Sequence, residues 1–166
     1  MPKSILQQQL KKSAPFDSLP QETYLNLLRT HNMVAAAPSQ LLKQHGLSSA
    51  QYNVLRILEA ADAPGLPCLE IVSRMVTRVP DITRLIDRLK EAGLVSRTRS
   101  QTDRRVIRIK LTKKGYALIE ELSEPLVDIH QQNLGHMTKA ELVELNRLLV
   151  KAREAAESGK VGQALA

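Results

Sequence analysis

The stretch RTRSQTDRRVIRIKL, residues 97–111, holds Arg97, Arg99, Arg104, Arg105, Arg108 and Lys110 against a single acid, Asp103. Charge of one sign at this density is suited to holding a polyanion. A few cations on a wet strand face are ordinary, but two adjacent arginines at a hairpin tip are less so. Residues 74–114 carry a net charge of +9, and the remainder of the chain carries −2, which together make the overall +7. A basic segment beside a near-neutral remainder is the electrostatic footprint of a nucleic-acid reader, because neutralising phosphates supplies much of the affinity.

The residues needed for bond-making chemistry are missing. The chain has no glycine-rich phosphate loop, nucleophile elbow or paired metal motif, so the sequence reads as a non-enzyme without cofactor or metal. His31, His45, His130 and His136 form no pair three or four residues apart. Cys68 is the one cysteine, which excludes an internal disulfide; it suits a small buried residue better than a thiol sensor.

Composition bounds what can position the basic segment. A chain of 166 residues is enough for one domain, or one domain with an appended dimerisation element. With 43% hydrophobic and only 2% aromatic residues, the core must be aliphatic and no base-stacking platform is available. The start, MPKSILQQQL, lacks the apolar core of a signal peptide, and no apolar run approaches the roughly 20 residues of a membrane span. A cytoplasmic protein without a membrane partner is expected.

The polar residues 1–17 read as a flexible arm. Ser18 caps a helix that uses Tyr24, Leu27, Leu28, His31 and Val34 to Ala37 as its apolar face; Pro38 should kink or break it, and Gly46 stops it. Ser48 caps the next helix, with Val54, Tyr52, Leu55 and Leu58 inward, and residues 63–67 read as a turn. A short helix with Leu69, Ile71, Val72 and Met75 precedes a break at 77–79. A second helix from about Pro80 to Ala92 turns Ile82, Leu85, Ile86 and Leu89 inward, giving a helix-turn-helix. Residues 94–99 and 106–111 form a hairpin whose tip is 100–105 and whose buried face is Ile107, Ile109 and Leu111. Helix returns at Thr112, to be kinked or split at Pro125. A last helix opens with a Thr138/Glu141 capping box and carries a stripe of Leu142, Leu145, Leu148 and Leu149. The tail 158–166 should fray.

The fold expected is mainly α, with a small β hairpin: a winged helix-turn-helix over 47–112, flanked by a dimerisation helix at 18–46 and dimerisation helices at 113–157. The terminal helices hold more apolar surface than a small winged domain can cover, which favours a homodimer over packing within one chain.

These residues resemble the MarR family of bacterial transcription regulators. The resemblance rests on GLSSAQYNVLRIL (46–58), VTRVPDITRLIDRLKEAGLVSR (76–97) and QTDRRVIRIKLTKKG (101–115), with a weaker match at 137–155. It implies a homodimer, built on the N- and C-terminal helices, that binds pseudo-palindromic double-stranded DNA, usually as a repressor relieved by a small molecule or by oxidation. Pro80 and Asp81 depart from the small hydroxyl or basic residues frequent at those positions.

With Ile82, Leu85, Ile86 and Leu89 inward, the residues left for the DNA major groove are Thr77, Arg78, Pro80, Asp81, Thr83, Arg84 and Arg88. Arg84 is the candidate for a guanine edge. Asp81 either accepts from a cytosine amine or caps the helix. At the wing tip, Asp103, Arg104 and Arg105 are the candidates for a minor-groove contact, and by the resemblance Arg105 inserts or is oriented by Asp103. Arg97 and Arg108 read as a solvated strand face. Tyr24, His31, Met33, Tyr52 and Met75 could line an effector pocket, although each also suits plain core, and the sequence does not name the ligand. The rival reading is a winged module that binds only proteins, which would have no use for the +9 segment.

Overall fold

In the computed structural model, residues 3–61, 65–99 and 106–158 are described. Short oxygen-bearing side chains begin most of its helices, each taking one of the backbone N–H groups that a first turn leaves unpaired. Ser4 starts α1 (Ile5–Gln9), Ser18 starts α2 (Leu19–Gln44) and Ser48 starts α3 (Ser49–Glu59). Strand β1 (Leu66–Pro67) leads directly into α4 (Cys68–Arg74). Asp81 then starts α5 (Ile82–Glu91), which is followed by β2 (Val95–Arg99) and β3 (Ile107–Leu111). Helix α6 (Lys113–Leu134) and the Thr138-capped α7 (Lys139–Glu157) complete the order. The Ser48/Gln51 and Thr138/Glu141 capping boxes are both reciprocal.

The chain divides into two compact units, residues 1–126 and 127–166. In the first, an aliphatic core joins Val54, Leu55 and Leu58 of α3 with Ile71 of α4, Ile86 and Leu89 of α5, and Leu94, Val95 and Ile109 around the sheet. Ile119, Leu122 and Leu126 of α6 join the same core, so its edge lies beyond residue 112. The sheet is antiparallel in the order β1-β3-β2, with Arg97 opposite Ile109 and Arg99 opposite Ile107. Gly93, at φ +73°, stops α5 and turns the chain into the sheet. The second unit holds the end of α6 and all of α7, and no residue of α7 is buried.

Several local expectations are corrected. The arm over 1–17 is not wholly loose: Ser4 caps a helical turn and Leu6 is buried. Of the kink or break expected at Pro38 and at Pro125, the break does not occur: α2 runs on through Pro38 and α6 through Pro125. A proline removes one donor and crowds the preceding turn, but it does not end a helix that has several turns on each side. Residues 66–67 are a third strand, with Leu66 opposite Ile109, and are too short to show alternation in sequence. Gly65 allows that pairing, because a Cβ there would collide with the Ile109 carbonyl. Helix α5 starts at Ile82, leaving Pro80 outside it. Ile107 is 51% exposed, since it lies toward the tip end of the hairpin, beyond the cover of the core. Leu69 and Val72 of α4 face outward, and only Ile71 of that helix is buried. The stripe on α7 is half-exposed or exposed throughout.

Candidate nucleic-acid interface

The approach to α5 is held from behind. After α4 ends, the backbone N–H of Val76 donates to Asn53 Oδ1 at 2.9 Å, so α3 fixes the start of the turn. Asp81, five residues after Val76, accepts the Arg84 N–H on its Oδ1 at 2.9 Å, and a carboxylate at a helix N-terminus also meets the favourable end of the helix dipole. Of the two roles open to Asp81, capping is the one formed here. Ile86 and Leu89 are fully buried and Ile82 and Leu85 pack against them, which fixes the rotation of α5 about its axis. Thr83, Arg84 and Arg88 are thereby turned to solvent.

All seven residues expected to face the major groove, Thr77, Arg78, Pro80, Asp81, Thr83, Arg84 and Arg88, are exposed on this one stretch. Among the described residues, Arg78, Arg84 and Arg88 form no ion pair with an acidic side chain. Asp103, Arg104 and Arg105 lie outside the described residues.

The cations on the strands behave differently, and here the expectation of a merely solvated face is corrected. Arg97 Nη1 lies 2.8 Å from Asp87 Oδ1, joining β2 to α5. Arg108 Nη1 donates to the Gly65 carbonyl at 2.9 Å, joining β3 to the start of β1. Lys114 Nζ donates to the Ala92 carbonyl at 2.8 Å, at the end of α5. Sequence periodicity finds neither Asn53 nor these links, because each joins residues on different elements.

Two open cavities flank α5. One, of about 510 Å³, is lined by His45, Leu47, Arg88, Lys114 and Leu118 among others; His45 Nε2 lies 3.2 Å from Glu121 Oε1. The other, of about 260 Å³, is lined by Val79, Pro80, Arg84, Leu85 and Arg88 among others. None of Tyr24, His31, Met33, Tyr52 or Met75 lines either one, and Tyr24 and Met33 are 59% and 65% exposed. Cys68 is half-buried; burial pushes its thiol pKa up, and the charge of Arg97 offsets part of that rise. Among the described residues, no three His, Cys, Asp or Glu side chains gather as a metal site. No helix there is long and apolar enough to cross a membrane.

Residues 37–122 match the family described as transcriptional regulator SarA/Rot. The HTH-type transcriptional repressor IacR of Pseudomonas putida is 30% identical over 123 residues, covering 74% of this chain and 72% of the repressor. The crystal structure of a MarR transcription factor from Planctomyces limnophilus is 46% identical, with a TM-score of 0.63, over 81% of this chain and 97% of that one. This chain belongs to the MarR family. As a MarR-family protein it is a winged-helix, DNA-binding transcription regulator and not an enzyme. A third relative, Bordetella bronchiseptica BpsR, is 26% identical with a TM-score of 0.71, over 86% of this chain and 99% of its own; its structure is described as a mechanism for regulation of DNA binding by 6-hydroxynicotinic acid.

Proposed function

We propose that this MarR-family protein is a cytoplasmic repressor that binds a pseudo-palindromic operator as a homodimer. Helix α5 enters the major groove, where Arg84 reads a guanine edge, Thr83 meets a phosphate or a thymine methyl, and Thr77, Arg78, Pro80 and Arg88 line the approach. Asp81 serves chiefly as the cap that orients Arg84. The wing tip, with Asp103, Arg104 and Arg105, reaches the adjacent minor groove. The observation that carries this reading is the set of three exposed arginines, Arg78 before α5 and Arg84 and Arg88 on its solvent face, that form no ion pair with an acidic side chain among the described residues.

The two copies meet through residues 18–46 and 113–157. Support comes from exposed apolar side chains on α2, including Tyr24, Leu28 and Met33, and on α7, including Val143, Leu148 and Val150. The described regulation of BpsR supports release by a small-molecule effector.

Anisotropy titration of duplex DNA from upstream of the protein's own reading frame tests the reading. Arg84→Ala and Arg105→Ala should each weaken specific binding by about 1–3 kcal/mol while leaving the fold intact. Binding should also fall steeply with salt, since two winged units neutralise several phosphates together. Unchanged affinity in both variants would overturn the assignment.

A further inference from the structure

Asp87 is the puzzling residue of α5, a carboxylate on the helix proposed to enter a phosphate-lined groove. It stands three residues after Arg84, a spacing at which opposite charges on a helix commonly pair. Such a pair would occupy the guanidinium that has to reach the DNA. The carboxylate is bonded instead to Arg97, at 2.8 Å across the gap to β2, with the Arg97 side chain 29% exposed. Arg97 is held in turn by the register of β2 against β3, where it stands opposite the buried Ile109.

We propose that Arg97 is a positioning residue for DNA recognition, holding the Asp87 carboxylate away from Arg84 and tying the recognition helix to the wing strand. The proposal rests on the reading that α5 faces DNA. Arg97 thus acts through Asp87 and makes no essential contact with phosphate. Two consequences separate this role from a direct one. With Arg97 gone, Asp87 is released to pair with Arg84 and to repel phosphate. With both gone, neither penalty remains.

The test is a double-mutant comparison on the full-length protein, titrated at fixed salt against the upstream duplex and a scrambled duplex. Arg97→Ala should weaken specific binding about tenfold, Asp87→Asn alone less than about threefold, and the double variant should return to within about threefold of Asp87→Asn. Arg97→Gln, which retains part of the aliphatic stem, carries the same comparison if Arg97→Ala melts below the assay temperature. A double variant as weak as Arg97→Ala means that Arg97 contacts DNA directly and overturns the proposal, as does an Arg97→Ala protein that binds like the wild type. Both results leave the DNA reading standing. If the wild-type protein shows no preference for the upstream duplex, that reading fails and the proposal fails with it.

Discussion

Helices α5 and α7 both begin with an oxygen-bearing cap, Asp81 in one and Thr138 in the other, and both present an apolar stripe at helical spacing. They dispose of that stripe in opposite ways. In ten residues α5 buries Ile86 and Leu89 completely, whereas α7 buries none of its nineteen. The apolar surface of α5 is satisfied within one chain, which fixes its rotation and hence the direction of Arg84 and Arg88. That of α7 is left unfinished, which is the condition that association with a second copy would meet. A leucine stripe by itself therefore says that a helix will pack, and leaves open against what.

Substitutions can break this contrast. The largest effect belongs to α5: Ile86→Ala should cost about 2–5 kcal/mol in equilibrium denaturation, from lost transfer energy and an unfilled cavity. A cost below about 1 kcal/mol would mean that the helix is not locked by its core face. On α7, the pair Leu145→Asp and Leu149→Asp should convert a two-copy mass to a one-copy mass in sedimentation equilibrium, with α1 to α5 still folded by circular dichroism. A two-copy mass that survives would place the interface elsewhere. Smaller again is the loss of a cap. Thr138→Ala should cost about 0.5–2 kcal/mol, seen in the thermal melt at fixed protein concentration, and no loss would show that α7 is started by assembly instead of by its capping box.

The smallest expected effect is one of pH. The Thr138 backbone and hydroxyl bond the Glu141 carboxyl and hold its pKa below the usual carboxylate range, with a minor contribution from His136. The ionised form is thus favoured by folding, so its stabilisation is complete above the ordinary carboxylate pKa and is lost as pH falls through the depressed value. A slight acid-side loss of helix is expected in the wild type and should be absent in Glu141→Gln. An identical acid profile in the two proteins would remove the carboxylate from the cap.

What the sequence made legible follows the range of each interaction. Caps and stops depend on residues within four positions, and Ser18, Ser48, Thr138 and Gly93 can be read directly. The inward face of α5 follows from the spacing of Ile82, Leu85, Ile86 and Leu89. Whether proline breaks a helix was not legible at Pro38 or Pro125, because its cost is local while helix continuity is set by the turns around it. The alternation of Ile with Arg and Lys along β3 was legible, but the depth of the core was not, and Ile107 falls outside it. At the site, exposure of the major-groove candidates followed from the inward set. The partners of Arg97 and Arg108 did not, because Asp87 and Gly65 are ten and forty-three residues away. A count of cations cannot separate those held by the fold from those left for a ligand.

The C-terminal end of α5 has a consequence for how the chain acquires its structure. The Leu94 and Gly93 N–H groups donate to the Leu89 and Lys90 carbonyls at 2.9 Å, so α5 closes on local bonds, while just beyond it the Thr112 hydroxyl donates to the Gly93 carbonyl at 2.7 Å and Lys114 to that of Ala92 at 2.8 Å. The helix can thus start at Asp81 and finish at Gly93 from local bonds alone, and the return of the chain to α6 then fixes where its end sits. During synthesis, a nascent chain that has emerged only as far as β2 would hold α5 formed at both ends, and the sheet and the first turn of α6 would then lock its orientation.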